Sequence, residues 1–203
     1  QADAYSGYDA LFRRDDVVEV GCWAHARRYF YQALQGQVEE AAPAMASIRR
    51  LYQLEKELQD RSLEERRQLR QDKAKSILEN LKAKLKLEQS LVLPKSSYGK
   101  AIGYALRHWE ALNRYLEDGD LAIDNNACER EIRSVAIGRK NWLFAGSKAG
   151  GERAAILYSI IQTCRACKVE PWAYLKDVLS KIHTTPKEKI AELTPRAWKR
   201  NRA

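Results

Sequence analysis

Val17-Val18-Glu19-Val20-Gly21-Cys22-Trp23 is the stretch on which the fold class turns. Its β-branched residues, bounded upstream by the charged run Arg13-Arg14-Asp15-Asp16, read as a buried strand. The signals around it are helical. Ser6-Gly-Tyr-Asp9 resembles a helix N-cap with an acid three positions on, and Ala10, Leu11 and Phe12 continue a short helix. After the strand, residues 24–34 read as a helix that sets Arg27 and Arg28 beside Tyr29, Phe30 and Tyr31.

Residues 38–118 read as wholly helical. Ile48, Leu51, Leu54 and Leu58 mark one apolar stripe, and Ile77, Leu78, Leu81 and Leu85 mark another. Between them residues 61–75 are highly charged and read as solvated. Pro94 ends that region, and residues 98–116 make a further helix with Trp109 and Leu112 on its apolar side, stopped by Gly119. The pattern suits a helical hairpin or small bundle rather than a coiled coil, because the heptads are not sustained.

The richest chemistry lies in residues 124–153. Asp124-Asn-Asn-Ala-Cys-Glu129-Arg130-Glu-Ile-Arg133 opens a polar helix, and Arg139-Lys140-Asn141-Trp142-Leu-Phe-Ala-Gly146 reads as a short strand or hairpin. Arg130, Arg133, Arg139, Lys140, Lys148 and Arg153 are candidates for salt-sensitive, sequence-blind contact with backbone phosphates. Trp142 and Phe144 suit a core, or less commonly base stacking. Spacing puts Asn126, Glu129, Arg130 and Arg133 on one helix face. Glu129 is then either the reciprocal member of a capping box with Asn126 or a metal-ligating carboxylate beside phosphate-binding groups. Further on, residues 152–168 and 172–182 read as helices, and the polar, basic tail from Thr184 has Leu193 and Trp198 as its anchors.

Cys22-Trp-Ala-His25 and Cys164-Arg-Ala-Cys167 have the spacing of two halves of a zinc site, although Cys164 and Cys167 sit in a helical pattern where buried cysteines are common. Asp3, by itself, reads as a loop or cap residue. There is no phosphate-binding glycine loop, and no support for ATP or NAD. With 203 residues, 45% of them hydrophobic, the chain has the material for a real core, and a net charge of +9 favours an acidic partner such as nucleic acid. No run reaches the roughly 18 apolar residues of a membrane helix, and no leader pattern opens the chain. Four irregularly spaced cysteines suit a reducing, cytoplasmic setting. The first residue, Gln1, suggests a piece of a longer chain.

Several long blocks in order resemble the C-terminal half of transposases of the insertion-sequence-66 family: Asp3-Ala-Tyr-Ser-Gly-Tyr-Asp9, Gly21-Cys-Trp-Ala-His-Ala-Arg-Arg28, Asp124-Asn-Asn-Ala-Cys-Glu-Arg130, Ile137-Gly-Arg-Lys-Asn-Trp-Leu-Phe-Ala-Gly-Ser147, Gly150-Gly-Glu-Arg-Ala-Ala155 and Pro171-Trp-Ala-Tyr-Leu-Lys-Asp-Val-Leu179. The resemblance spans residues 3 to about 182. It departs at Ser134, where a proline is expected after the arginine, and in the tail.

What this resemblance implies is an α/β, ribonuclease-H-like core interrupted by a large α-helical insertion, predominantly helical in this chain. Residues 1–36 and 121–183 would form parts of the core, 37–120 the insertion and 184–203 a basic tail. The core's first strands and first catalytic Asp would lie upstream of residue 1. Carried over, Asp3 corresponds to the second and Glu129 to the third of three acids that hold two magnesium ions, with manganese able to substitute. Cys22 and His25 correspond to a supporting Cys-x-x-His element. The implied activity is DNA strand cleavage and transfer, by a homo-oligomer on transposon ends and target DNA, in the nucleoid of a bacterial cytoplasm. The alternative is a basic helical module that binds nucleic acid without catalysis.

Overall fold

The computed structural model describes residues 1–4, 6–36, 38–142 and 145–202, and among these residues the chain forms helices and turns with no strand. The α/β, ribonuclease-H-like expectation is therefore corrected: the described chain is all helical. It divides into two compact units, Gln1–Ala127 and Cys128–Ala203.

The reason the expected strand is not one lies in its partners. Residues 17–22 carry no helix or strand assignment, and Cys22 has the extended backbone a strand would have (φ −114°, ψ 111°). A sheet needs a neighbour in register, and this segment instead hands its backbone donors to several different places. Gly21 N–H donates to the carbonyl of Ala111 at 2.8 Å, and Trp23 N–H to that of Ile123 at 3.1 Å. From the N-terminal arm, Ala2 N–H meets the Val20 carbonyl at 2.9 Å and the Gln1 side-chain amide meets that of Gly21 at 3.3 Å. Gly21 and Trp23 thus find acceptors without a sheet.

In the N-terminal unit, a short 3-10 turn leads into α1 (Asp9–Phe12), and α2 (Trp23–Gln35), α3 (Ala42–Glu57), α5 (Lys75–Gln89) and α6 (Ser97–Arg107) pack around one core. Each contributes a stripe at helical spacing: Trp23, Ala26, Phe30 and Ala33 from α2; Ala44, Ile48, Leu51 and Leu54 from α3; Leu78, Leu81 and Leu85 from α5; Tyr98, Ala101, Ile102 and Ala105 from α6. α4 (Leu63–Leu69) starts on a capping box in which Ser62 and Glu65 bond reciprocally, and runs through a π-helical turn, Arg70–Ala74, into α5. The helix expected over 98–116 breaks at His108 (φ −101°, ψ 19°), and α7 (Trp109–Asn113) follows.

Residues 61–75 are not simply solvated. Arg70 is 1% exposed and forms a two-pronged ion pair with Glu55, at 2.8 and 2.7 Å. Its remaining donors reach the carbonyls of Tyr115 and Asp118 at 2.8 and 2.7 Å. One buried arginine thus ties α3 and the π-turn to the chain end that leads toward Asp124.

The C-terminal unit holds most of α8 (Asn126–Trp142), then α9 (Lys148–Ala166), α10 (Pro171–Lys181) and α11 (Pro195–Arg200). The strand or hairpin expected from Arg139 is instead the last turn of α8; Leu143 and Phe144 lie outside the described residues. α9 begins four residues earlier than the sequence suggests and takes in Gly150 and Gly151, because Ser147 Oγ caps it by accepting Gly150 N–H at 3.0 Å. The unit's small core gathers Cys164, Val169, Tyr174 and Val178, with Leu193 and Trp198 of the tail packed against it.

Candidate functional site

The N-terminal arm places Asp3. Gln1 anchors it through its side-chain amide, which donates to the carbonyl of Ala122 at 2.7 Å, and Ala2 bonds to Val20. Immediately after Asp3, Ala4 takes a left-handed conformation (φ +63°), which most non-glycine residues avoid at a cost of about 1–2 kcal/mol. The neighbouring α2 brings His25 to the arm. His25 Nε2 lies 3.9 Å from Asp3 Oδ2, with the side chains 12% and 39% exposed respectively, so the carboxylate faces solvent while the imidazole backs it. Tyr104 of α6 reaches the same segment, donating its hydroxyl to the Asp3 carbonyl at 3.3 Å.

Cys22 is the N-cap of α2 and fully buried. Burial pushes its thiol up, so it stays protonated, and its Sγ accepts the Asn125 N–H at 3.5 Å. It is a small packed residue that joins the start of α2 to Asn125. Gly21 beside it is required for space: a Cβ there would come within 2.9 Å of Leu112 N. Trp23 completes the clamp by donating its indole N–H to Leu112 O at 2.8 Å.

Asp124 organises the entry to α8. Its Oδ1 accepts Asn126 N–H at 3.1 Å and its Oδ2 accepts both the Asn126 amide and the Tyr52 hydroxyl at 2.8 Å. Burial first and Asp124 second raise the Tyr52 phenol, which stays a donor. This carboxylate, rather than Asn126, caps the helix start. Asn126 is already the first helical residue, so the Asn126–Glu129 pair sits one position past the register of a capping box. Glu129 is exposed in the first turn of α8, in the C-terminal unit. Arg130, Arg133 and Arg139 are exposed along the same helix, and Lys148 and Arg153 are exposed on α9. The side chain of Lys140 lies outside the described residues.

The structure thus brings Asp3, His25 and Cys22 together with Asp124 in one unit, and carries Glu129 and the basic residues in the other. The two halves of the possible zinc site also fall in different units, with burial raising the Cys164 thiol. Among the described residues no three His, Cys, Asp or Glu side chains gather as metal ligands. Neither unit alone fits a complete magnesium or zinc site. Tyr52, Asp124 and Tyr104 were not singled out by sequence reasoning; Tyr52 and Asp124 are 72 positions apart, and no local pattern links them.

Comparison with known proteins gives this arrangement its context. The model of the family described as "Transposase IS66 family" matches residues 1–153, and that of the "IS66 C-terminal element" matches residues 159–196. The chain belongs to the IS66 transposase family. The second match extends into the tail, past the point where the sequence blocks become indistinct. Similar proteins include three from Sinorhizobium fredii (strain NBRC 101917 / NGR234), the uncharacterized proteins y4hP, y4jD and y4qI. They are 35%, 35% and 37% identical, over 98%, 98% and 96% of this chain and 39%, 41% and 38% of their own lengths. The chain therefore spans about two fifths of the length of these relatives. No solved structure matches it. Among the described residues no helix is long and apolar enough to cross a membrane.

Proposed function

We propose that this IS66-family chain is the catalytic-region part of a DNA transposase that cleaves DNA strands and transfers them in a divalent-metal-dependent reaction. One observation carries the reading: the family match spans both Asp3 and Glu129, the two acids that the sequence blocks single out. Asp3 and Glu129 are each assigned the role of a carboxylate ligand, and magnesium, with manganese as substitute, is the ion such hard oxygen donors suit. His25, which lies 3.9 Å from the Asp3 carboxylate, and Cys22, the N-cap of the same helix, are assigned supporting roles. Arg130, Arg133, Arg139, Lys140, Lys148 and Arg153 are assigned to the phosphates of transposon ends and target DNA. A homo-oligomer acting on DNA in the bacterial cytoplasm completes the proposal.

A second reading, a basic helical module that binds nucleic acid without catalysis, is supported by the net charge of +9 and the exposed arginines and lysines of α8 and α9. The two are separated by Asp3→Asn in the longest open reading frame that contains these 203 residues. The amide keeps size and hydrogen bonding but loses the charge that holds a cation. Cleavage of transposon-end DNA in magnesium should fall at least ~100-fold with DNA affinity nearly unchanged. Cleavage at the unmodified rate would leave the binding-module reading standing.

A further inference from the structure

Tyr29 of α2 and Tyr104 of α6 stack with centroids 4.7 Å apart and planes 29° apart, and His108 continues the row 4.9 Å from Tyr104. The two tyrosines help to line a pocket of about 430 Å³ at the edge of the hydrophobic core, and none of the proposed acidic residues lines it. Exposed Lys100 and Arg107 line it, together with the amide of Gln89 and the open backbone of Gly103. A second hollow of about 530 Å³ shares Gln89 and Arg107 and adds Lys82, Lys86 and Arg114. Glu19 and Glu110 are the acids on its lining, and Arg114 is held at 2.5 Å by the Glu19 carbonyl. An aromatic pocket therefore opens onto a run of cations.

We propose that this trough binds single-stranded DNA, with one unpaired base in the Tyr29–Tyr104 pocket and the adjoining phosphates along Lys82, Lys86, Lys100 and Arg107. The aromatic and apolar lining, Tyr29, Tyr104, Val92 and Pro94, offers any base a sequence-blind contact, while Lys and Arg follow the backbone. The pocket has the size of a site for one small group, not for a base-paired duplex whose faces are stacked away. Its position also fits, because Tyr104 bonds to the backbone of Asp3. The inference rests on the transposase reading and names the form of substrate that the N-terminal unit holds.

Gly103 offers the test. It lies inside α6 with nothing within 4 Å of a Cβ built on it, so a larger residue there costs the fold little and removes an interior-helix glycine. Binding is measured on the whole chain by fluorescence anisotropy, without divalent metal. The probes are a labelled oligothymidine of about a dozen residues and a duplex of equal length. Gly103→Leu should weaken single-strand binding roughly 10-fold or more, leave the duplex affinity unchanged and leave the thermal midpoint no lower than wild type. The double variant Lys100→Gln/Arg107→Gln should weaken single-strand binding and flatten its salt dependence. No single-strand binding by the wild type, wild-type binding by both variants, or equal loss on both probes would overturn the proposal. Because no cleavage is scored, a failure here is distinct from a failure of the catalytic reading.

Discussion

Arg70 carries its charge into the middle of the N-terminal unit, where removing water from a guanidinium is costly unless every donor is matched. Glu55 and the carbonyls of Tyr115 and Asp118 supply that match, and the Tyr115 ring lies 5.1 Å from the guanidinium carbon. Arg70→Met leaves Glu55 sheltered without its partner and should destabilise the unit by about 3–5 kcal/mol. Adding Glu55→Leu should recover part of that loss, and not all of it, since the two carbonyls stay unmatched. Urea unfolding followed by the fluorescence of Trp23 and Trp109 reads both variants; an Arg70→Met midpoint equal to wild type would contradict the assignment. The charge run at 61–75 looks solvated from sequence because composition records how many charges there are. Which one turns inward is set by the π-turn at 70–74, and hydropathy does not reveal that.

At the scale of elements, α3 and α5 were legible from apolar stripes at three- and four-residue spacing, a pattern local enough to read directly, while α2 was read as a helix and α6 as part of a longer one that breaks at His108. Residues 17–22 were half legible. Their β-branched side chains do favour extended backbone, but strand propensity says nothing about whether a partner strand exists, and here the donors go to Ala111 and Ile123. Gly138 and Trp142 suggested a turn and a strand where α8 runs on, and Gly150-Gly151 hid the start of α9. One side chain gathers several groups at the tail. Asp177 of α10 accepts from Lys181 and Arg202 at 2.7 Å and from the Trp198 indole at 2.8 Å. Lys181 first, then Trp198, holds its carboxyl below the usual aspartate range. The folded group therefore binds fewer protons than the unfolded one, so its contribution is present above the usual aspartate pKa and is lost as pH falls through the folded value. As pH falls below about 4 the thermal midpoint of wild type should drop more than that of Asp177→Asn. Parallel profiles would show that the tail is held by other means.

For the molecule as a whole, the candidate site was legible as residues but not as a place. Asp3, Cys22 and His25 lie within one neighbourhood, which the ordered blocks could suggest only through resemblance. The supports that fix them, Tyr104 on Asp3 and Tyr52 on Asp124, join positions 101 and 72 residues apart. Glu129 sits at the start of the helix that leads into the second unit, exposed and one position off a capping register. That register matters, because a reciprocal cap tolerates Gln as well as Glu, whereas a cation ligand does not. The measurement that tests the central claim most directly is the magnesium-dependent cleavage rate of Glu129→Gln, in the longest open reading frame containing this chain, at saturating transposon-end DNA. The account predicts loss of cleavage of at least ~100-fold with DNA affinity within about twofold of wild type. Cleavage at the wild-type rate would contradict it and return Glu129 to a purely structural role.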